Sequence, residues 1–159
     1  MPSDILVLGL GNILLSDEGA GVYVVQRLQG HGDAMAGLGL RPLDGGTLSF
    51  TLAGPIQEAD GLIVVDTAAL EAEAGAVRVF EGDAMDHFVA TGKKSSVHEV
   101  GLVDLLAVAR LEERLPPHRA LVGIQPQWID WGEELSPAVS AALGRACEAV
   151  EEVARRWQT

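Results

Sequence analysis

Five side chains combine metal-donor or acid-base chemistry with a place beside an apolar run: Asp17, Glu18, Asp44, Asp66 and His98. Residues 5–8 (Ile-Leu-Val-Leu) lead through Gly9 and Gly11 to Asp17 and Glu18. Leu40 to Leu43 leads to Asp44, and Leu62 to Val65 leads directly to Asp66. His98 precedes a helical pattern in a polar loop. Glu18, Asp66 and His98 form a set of two carboxylates and one imidazole with coordination positions left open. Such a set suits a borderline divalent cation such as zinc or nickel. Their spacing matches no compact metal motif, so only the topology of the chain can bring them together. Each also has a plainer use. An acid at a helix start offsets the helix dipole, and an Asp after a strand caps the next helix. Asp17 and Glu18 are adjacent and point about 100° apart on a helix. Asp17 is therefore expected as a helix cap or a support, and Asp44, in Asp-Gly-Gly-Thr, as a turn former, with substrate contact as the alternative.

These residues need an α/β frame. An unbroken apolar run is the pattern of a strand covered on both faces. Residues 5–8, 40–43, 62–65 and 120–124 read as such strands, and residues 77–80 as an edge strand reached by a hairpin over residues 68–75. A helix to about Leu28 buries Val22, Val25 and Leu28, and Ser16 or Asp17 is its expected cap. Residues 30–39 read as a loose connection. Residues 48–52 read as helical and are broken by Ala53-Gly54-Pro55, while residues 84–89 are ambiguous. A helix opening at Glu99 or Val100 carries Leu102, Leu105, Leu106 and Ala109 on its core face. Ser136 followed by Pro137 starts the last helix. The fold expected is a single α/β domain over residues 1–159, a twisted, mostly parallel sheet flanked by helices on both faces. Ligands bind at the carboxyl ends of such strands, where the strand order reverses. If the order begins two-one-three, Glu18 and Asp66 face each other across that crevice.

Composition narrows the partners. The 159 residues carry 23 acidic and 11 basic side chains, a net charge of −12 that repels phosphate backbones and argues against nucleic acid. One cysteine permits no intrachain disulfide. No apolar run reaches the roughly 20 residues of a membrane span, and no basic segment precedes the first apolar run as in a signal peptide. A cytoplasmic, monomeric protein is expected. Cys147 sits on the buried stripe of the last helix. Trp128 and Trp131 lie in the loop from Gln125 to Leu135, where they can border a peptide groove, although one of them is expected to cover a core edge.

The turn Gly9-Leu-Gly11-Asn12-Ile-Leu14 also invites a dinucleotide-binding reading. Leu14 stands where the third glycine belongs, and no acid follows about 20 residues on. A nucleotide-binding domain stays as an alternative.

The stretch Leu6-Val-Leu-Gly-Leu-Gly-Asn-Ile-Leu-Leu-Ser-Asp-Glu-Gly-Ala-Gly-Val22 resembles the N-terminal signature of the hydrogenase maturation endopeptidases. The resemblance continues through Leu43-Asp-Gly-Gly-Thr47, Ile63-Val-Val-Asp66, Ser96-Val-His-Glu-Val-Gly-Leu102 and Leu121-Val-Gly-Ile-Gln-Pro126, then Asp130-Trp-Gly and Leu135-Ser-Pro137. It spans nearly the whole chain in order. It implies an endopeptidase that removes the C-terminal extension of the nickel-loaded large-subunit precursor of a [NiFe] hydrogenase. The metal-binding and catalytic residues it implies are Glu18, Asp66 and His98, with Asp44 and Asp17 as accessory candidates. The nickel would be carried by the substrate, and zinc or cadmium are surrogates. A chaperone that binds the precursor without cutting it is the non-enzymatic alternative.

Overall fold

The computed structural model describes residues 1–47, 49–91 and 101–159. Among them, one five-stranded sheet is built from β1 (Ile5–Leu10), β2 (Leu40–Gly46), β3 (Gly61–Thr67), β4 (Val77–Glu81) and β5 (His118–Ile124). The spatial order is β2-β1-β3-β5-β4. The first four strands in that order run parallel, and β4 is antiparallel to β5 at the edge. The chain thus has the two-one-three order that its apolar runs allowed. The reversal of strand order falls between β1 and β3.

Six α-helices are described: α1 (Ala20–Gln29), α2 (Gly32–Gly37), α3 (Ala53–Glu58), α4 (Asp83–Thr91), α5 (Leu102–Leu111) and α6 (Pro137–Trp157). Every residue of β1 is buried, because successive side chains feed cores on opposite faces. Ile5 and Val7 join the core beneath α1, α2 and α6, which includes Val25, Leu28, Leu143 and Val150. Leu6, Leu8 and Leu10 join the other core, with Ile56 of α3, Met85 of α4 and Leu105 of α5.

Four local expectations are corrected and one open reading is settled. Residues 30–39 contain the short helix α2 rather than only a connection. Ala53-Gly54-Pro55 does not break a helix but forms the first turn of α3, where a proline lacks no intrahelical bond. The ambiguous residues 84–89 belong to α4. β4 does not form a hairpin with β3, because β5 lies between them and the connecting segment crosses the end of β5. Ser16 and Asp17 do not cap α1: residues Ser16–Gly19 form a 3-10 turn, and α1 follows it from Gly19 without a side-chain cap.

The glycines of the first motif set how closely α1 approaches the sheet. A Cβ on Gly21 would collide with the carbonyl oxygen of Val65 and lie 2.5 Å from that of Leu10. Gly11 has φ of +140°, and a Cβ there would strike the carbonyl oxygen of Glu18. Its own N–H donates to the Gly46 carbonyl at 2.8 Å, so this turn is spent on packing and on joining β1 to β2. The glycine pattern is thereby accounted for without a bound phosphate.

Candidate active site

Glu18 and Asp66 meet at the carboxyl edge of the sheet. Glu18 sits in the 3-10 turn after β1 and is fully buried. Asp66 is the penultimate residue of β3 and partly buried. Thr67 links the two. Its Oγ1 donates to Glu18 Oε2 at 3.1 Å, and its N–H donates to Asp66 Oδ1 at 2.8 Å. Burial, and then the negative charge of Glu18, raises the Asp66 carboxyl well above the ordinary carboxylate range, against the pull of its hydrogen bonds from Thr67. Desolvation and the neighbouring Glu18 charge both disfavour the ionised Asp66 carboxylate, and a divalent cation bound there would reverse that preference.

His98, the third candidate, lies outside the described residues. Among the described residues, no group of three or more His, Cys, Asp or Glu side chains stands ready to hold a metal. Glu18 and Asp66 supply two hard oxygen donors, and an ion shared with a partner's own ligands would need no complete cage from this chain.

Asp17 is engaged elsewhere, by four hydrogen bonds. Its Oδ1 accepts from Ser136 N–H at 2.7 Å, and its Oδ2 from Ser136 Oγ at 2.8 Å, Gln127 N–H at 2.8 Å and Trp128 N–H at 3.1 Å. It therefore fastens the loop after β5 and the start of α6, and its lone pairs are committed to that role. Ser136 caps α6, with Oγ accepting from Val139 N–H at 3.4 Å. Asp44 is exposed at the end of β2, where its Oδ1 accepts from Gly46 N–H at 2.8 Å. That is the turn its sequence setting suggests.

Ser16 carries a backbone feature that its expected role as a cap did not foresee. It has φ of +50°, a region costly for a residue with a Cβ. The loop after β5 holds it there. Ser16 N–H donates to Gly132 O at 2.7 Å, and its Oγ donates to Asp130 O at 2.9 Å. Gln125, at the end of β5, is another missed residue. Its side-chain oxygen accepts from Leu70 N–H at 2.7 Å and fixes the segment following Asp66. Neither tryptophan covers a core edge, since Trp128 is 46% exposed and Trp131 80%.

The architecture is thus an α/β domain whose acidic pair lies at the switch point between its first and third strands. A family model described as hydrogenase maturation protease, HycI, matches residues 22–153. The hydrogenase expression/formation protein HupD of Bradyrhizobium diazoefficiens is 36% identical over 154 residues, covering 96% of this chain and 79% of that protein. The hydrogenase 2 maturation protease of Escherichia coli is 34% identical over 146 residues, covering 92% of this chain and 87% of that protein. The structure of the hydrogenase maturating endopeptidase HybD from E. coli superposes with a TM-score of 0.84 at 31% identity, covering 96% of this chain and 93% of that one. The chain belongs to the hydrogenase maturation protease family.

Proposed function

We propose that this protein removes the C-terminal extension of the nickel-loaded large-subunit precursor of a [NiFe] hydrogenase, using the nickel as its recognition element. The observation that carries this reading is the Glu18–Asp66 pair, which Thr67 orients at the sheet edge where α/β proteins bind ligands. The nickel belongs to the substrate. Glu18 and Asp66, with His98, complete its coordination, and zinc or cadmium can replace it in the isolated protein.

Peptide hydrolysis needs an activated water, a stabilised oxyanion and a protonated leaving amine. A divalent ion supplies polarisation of a carbonyl and acidification of a bound water. The protein supplies position: Glu18 is fixed by the 3-10 turn, Asp66 by β3, and Thr67 holds both. Asp44, exposed at the end of β2, is a further described carboxylate at this edge, whereas Asp17 acts through the loop that it holds. Because the pair engages an ion that arrives with the substrate, cleavage becomes a checkpoint on nickel insertion.

The test uses two purified components, this protein and its verified cognate precursor, with no other protein present. Release of one C-terminal peptide supports the endopeptidase. Stable binding without release contradicts it and supports the chaperone.

A further inference from the structure

Four large apolar side chains stand exposed on two loops that are bonded into one platform: Ile13 and Leu14 after β1, and Trp128 and Trp131 after β5. Leu15 pairs with Gly132 as an isolated parallel bridge. Gly132 N–H donates to Leu14 O at 2.9 Å, and Ser16 N–H donates to Gly132 O at 2.7 Å. Asp17 holds the base of the second loop through the amides of Gln127, Trp128 and Ser136. The platform is therefore ordered before anything binds, which lowers the entropic cost of docking. Exposed apolar side chains gathered in one place mark interaction surfaces, and preorganised aromatic anchors contribute most to them.

Charge selects the occupant. Between Gln125 and Ser136 the loop carries Asp130, Glu133 and Glu134 and no basic residue, and although Arg27 of α1 lines a groove with Glu133 and Glu134, the acids outnumber it. A second copy of this chain, with a net charge of −12, would bring an equally acidic rim against this one. A segment that sets an apolar side chain beside lysine or arginine complements both the tryptophans and the acids.

We propose that the platform of Leu14, Trp128 and Trp131, rimmed by Asp130, Glu133 and Glu134, is a docking surface for a basic, apolar segment of the precursor polypeptide. This rests on the proposed function and adds a second point of recognition to the nickel. Asp17, which holds the loop, is adjacent in the chain to Glu18. A segment seated on the platform is therefore held in a fixed relation to the acidic pair.

The experiment measures steady-state processing of the nickel-loaded precursor by wild type, Trp131→Ala, Trp131→Phe and the double variant Glu133→Lys/Glu134→Lys, with Glu18→Gln as the inactive control. Trp131 is largely exposed, so its removal leaves the fold intact, which circular dichroism verifies. Trp131→Ala is expected to raise KM about tenfold, a loss overcome at saturating precursor, and Trp131→Phe to recover most of it. The charge reversal is expected to raise KM and to flatten the rise of KM with salt. Unchanged KM in Trp131→Ala and in the charge reversal, with wild type active and Glu18→Gln inactive, overturns the docking surface and leaves the proposed function standing. A fall in kcat with KM unchanged also overturns it. A wild type that does not cut a verified precursor overturns both. Sedimentation that finds a dimer broken by Trp131→Ala overturns the choice of occupant.

Discussion

Asp17 and Ser136, 119 positions apart, are joined twice: the Asp17 carboxylate accepts both the backbone N–H and the hydroxyl of Ser136, at 2.7 and 2.8 Å. The bond connects the turn bearing Glu18 to the N-terminus of the 21-residue helix α6. The positive end of that helix dipole favours the carboxylate charge. The same carboxylate organises the loop that carries Trp128 and Trp131.

Asp17→Asn keeps the shape but removes a charged acceptor from four donors. A stability loss of about 2–4 kcal/mol is expected. Urea unfolding checks it. The fluorescence of Trp128 and Trp131 in the folded variant should report a loosened loop, and processing should fall through KM. A variant as stable as wild type would show that Asp17 does not anchor the loop.

Thr67 reaches both carboxylates, by hydroxyl to Glu18 and by backbone to Asp66. Thr67→Val retains the backbone bond and the volume but loses the hydroxyl. On the proposed role of Glu18 toward the substrate's nickel, loss of this outer partner is expected to cost on the order of 10-fold to 100-fold in processing. Thr67→Ser should restore most of the rate. Equal processing by the valine variant would assign Thr67 to packing alone.

Gly21 admits the carbonyl oxygens of Val65 and Leu10 where a side chain would stand. Gly21→Ala must lift α1 off the sheet, at a cost on the order of 3 kcal/mol. A melting curve tests this. An alanine variant that melts with wild type would refute the close approach, and the motif would then need another explanation.

Much of this was legible in the chain because it is local. The runs at residues 5–8, 62–65 and 120–124 have one reading as doubly covered strands. The short steps from strand to Glu18 and Asp66 then place both acids on one edge. What escaped is set by distant partners. Asp17 reads as a helix cap or a support, and only the folded chain, which brings Ser136, Gln127 and Trp128 to it, decides for the support. Ser16 looks like a cap too, yet it takes a left-handed backbone because the loop at 130–132 bonds it there. β4 alternates as an edge strand should, but no local signal says that its neighbour is β5. Thr67 gave one hint, a hydroxyl standing directly after Asp66 at the end of an apolar strand.

The raised Asp66 carboxyl has a signed consequence for the metal-free protein. With its folded pKa above the ordinary value of 3.8, the folded state holds a proton that the unfolded chain releases. The associated stability is fully present below that ordinary value and is lost as pH rises through the folded pKa. Asp66→Asn should remove this fall, leaving the variant more stable than wild type above that range while abolishing processing. Urea unfolding across the acidic and neutral range measures it. Parallel pH profiles for variant and wild type would contradict the strained pair.

The most direct test of the central claim is intact-mass spectrometry of the cognate precursor after incubation with this protein, nickel-loaded and nickel-free side by side, with Glu18→Gln in parallel. The account predicts loss of a single C-terminal peptide from the nickel-loaded precursor alone, and none with Glu18→Gln. Equal cleavage of nickel-free precursor, or full cleavage by Glu18→Gln, would contradict it.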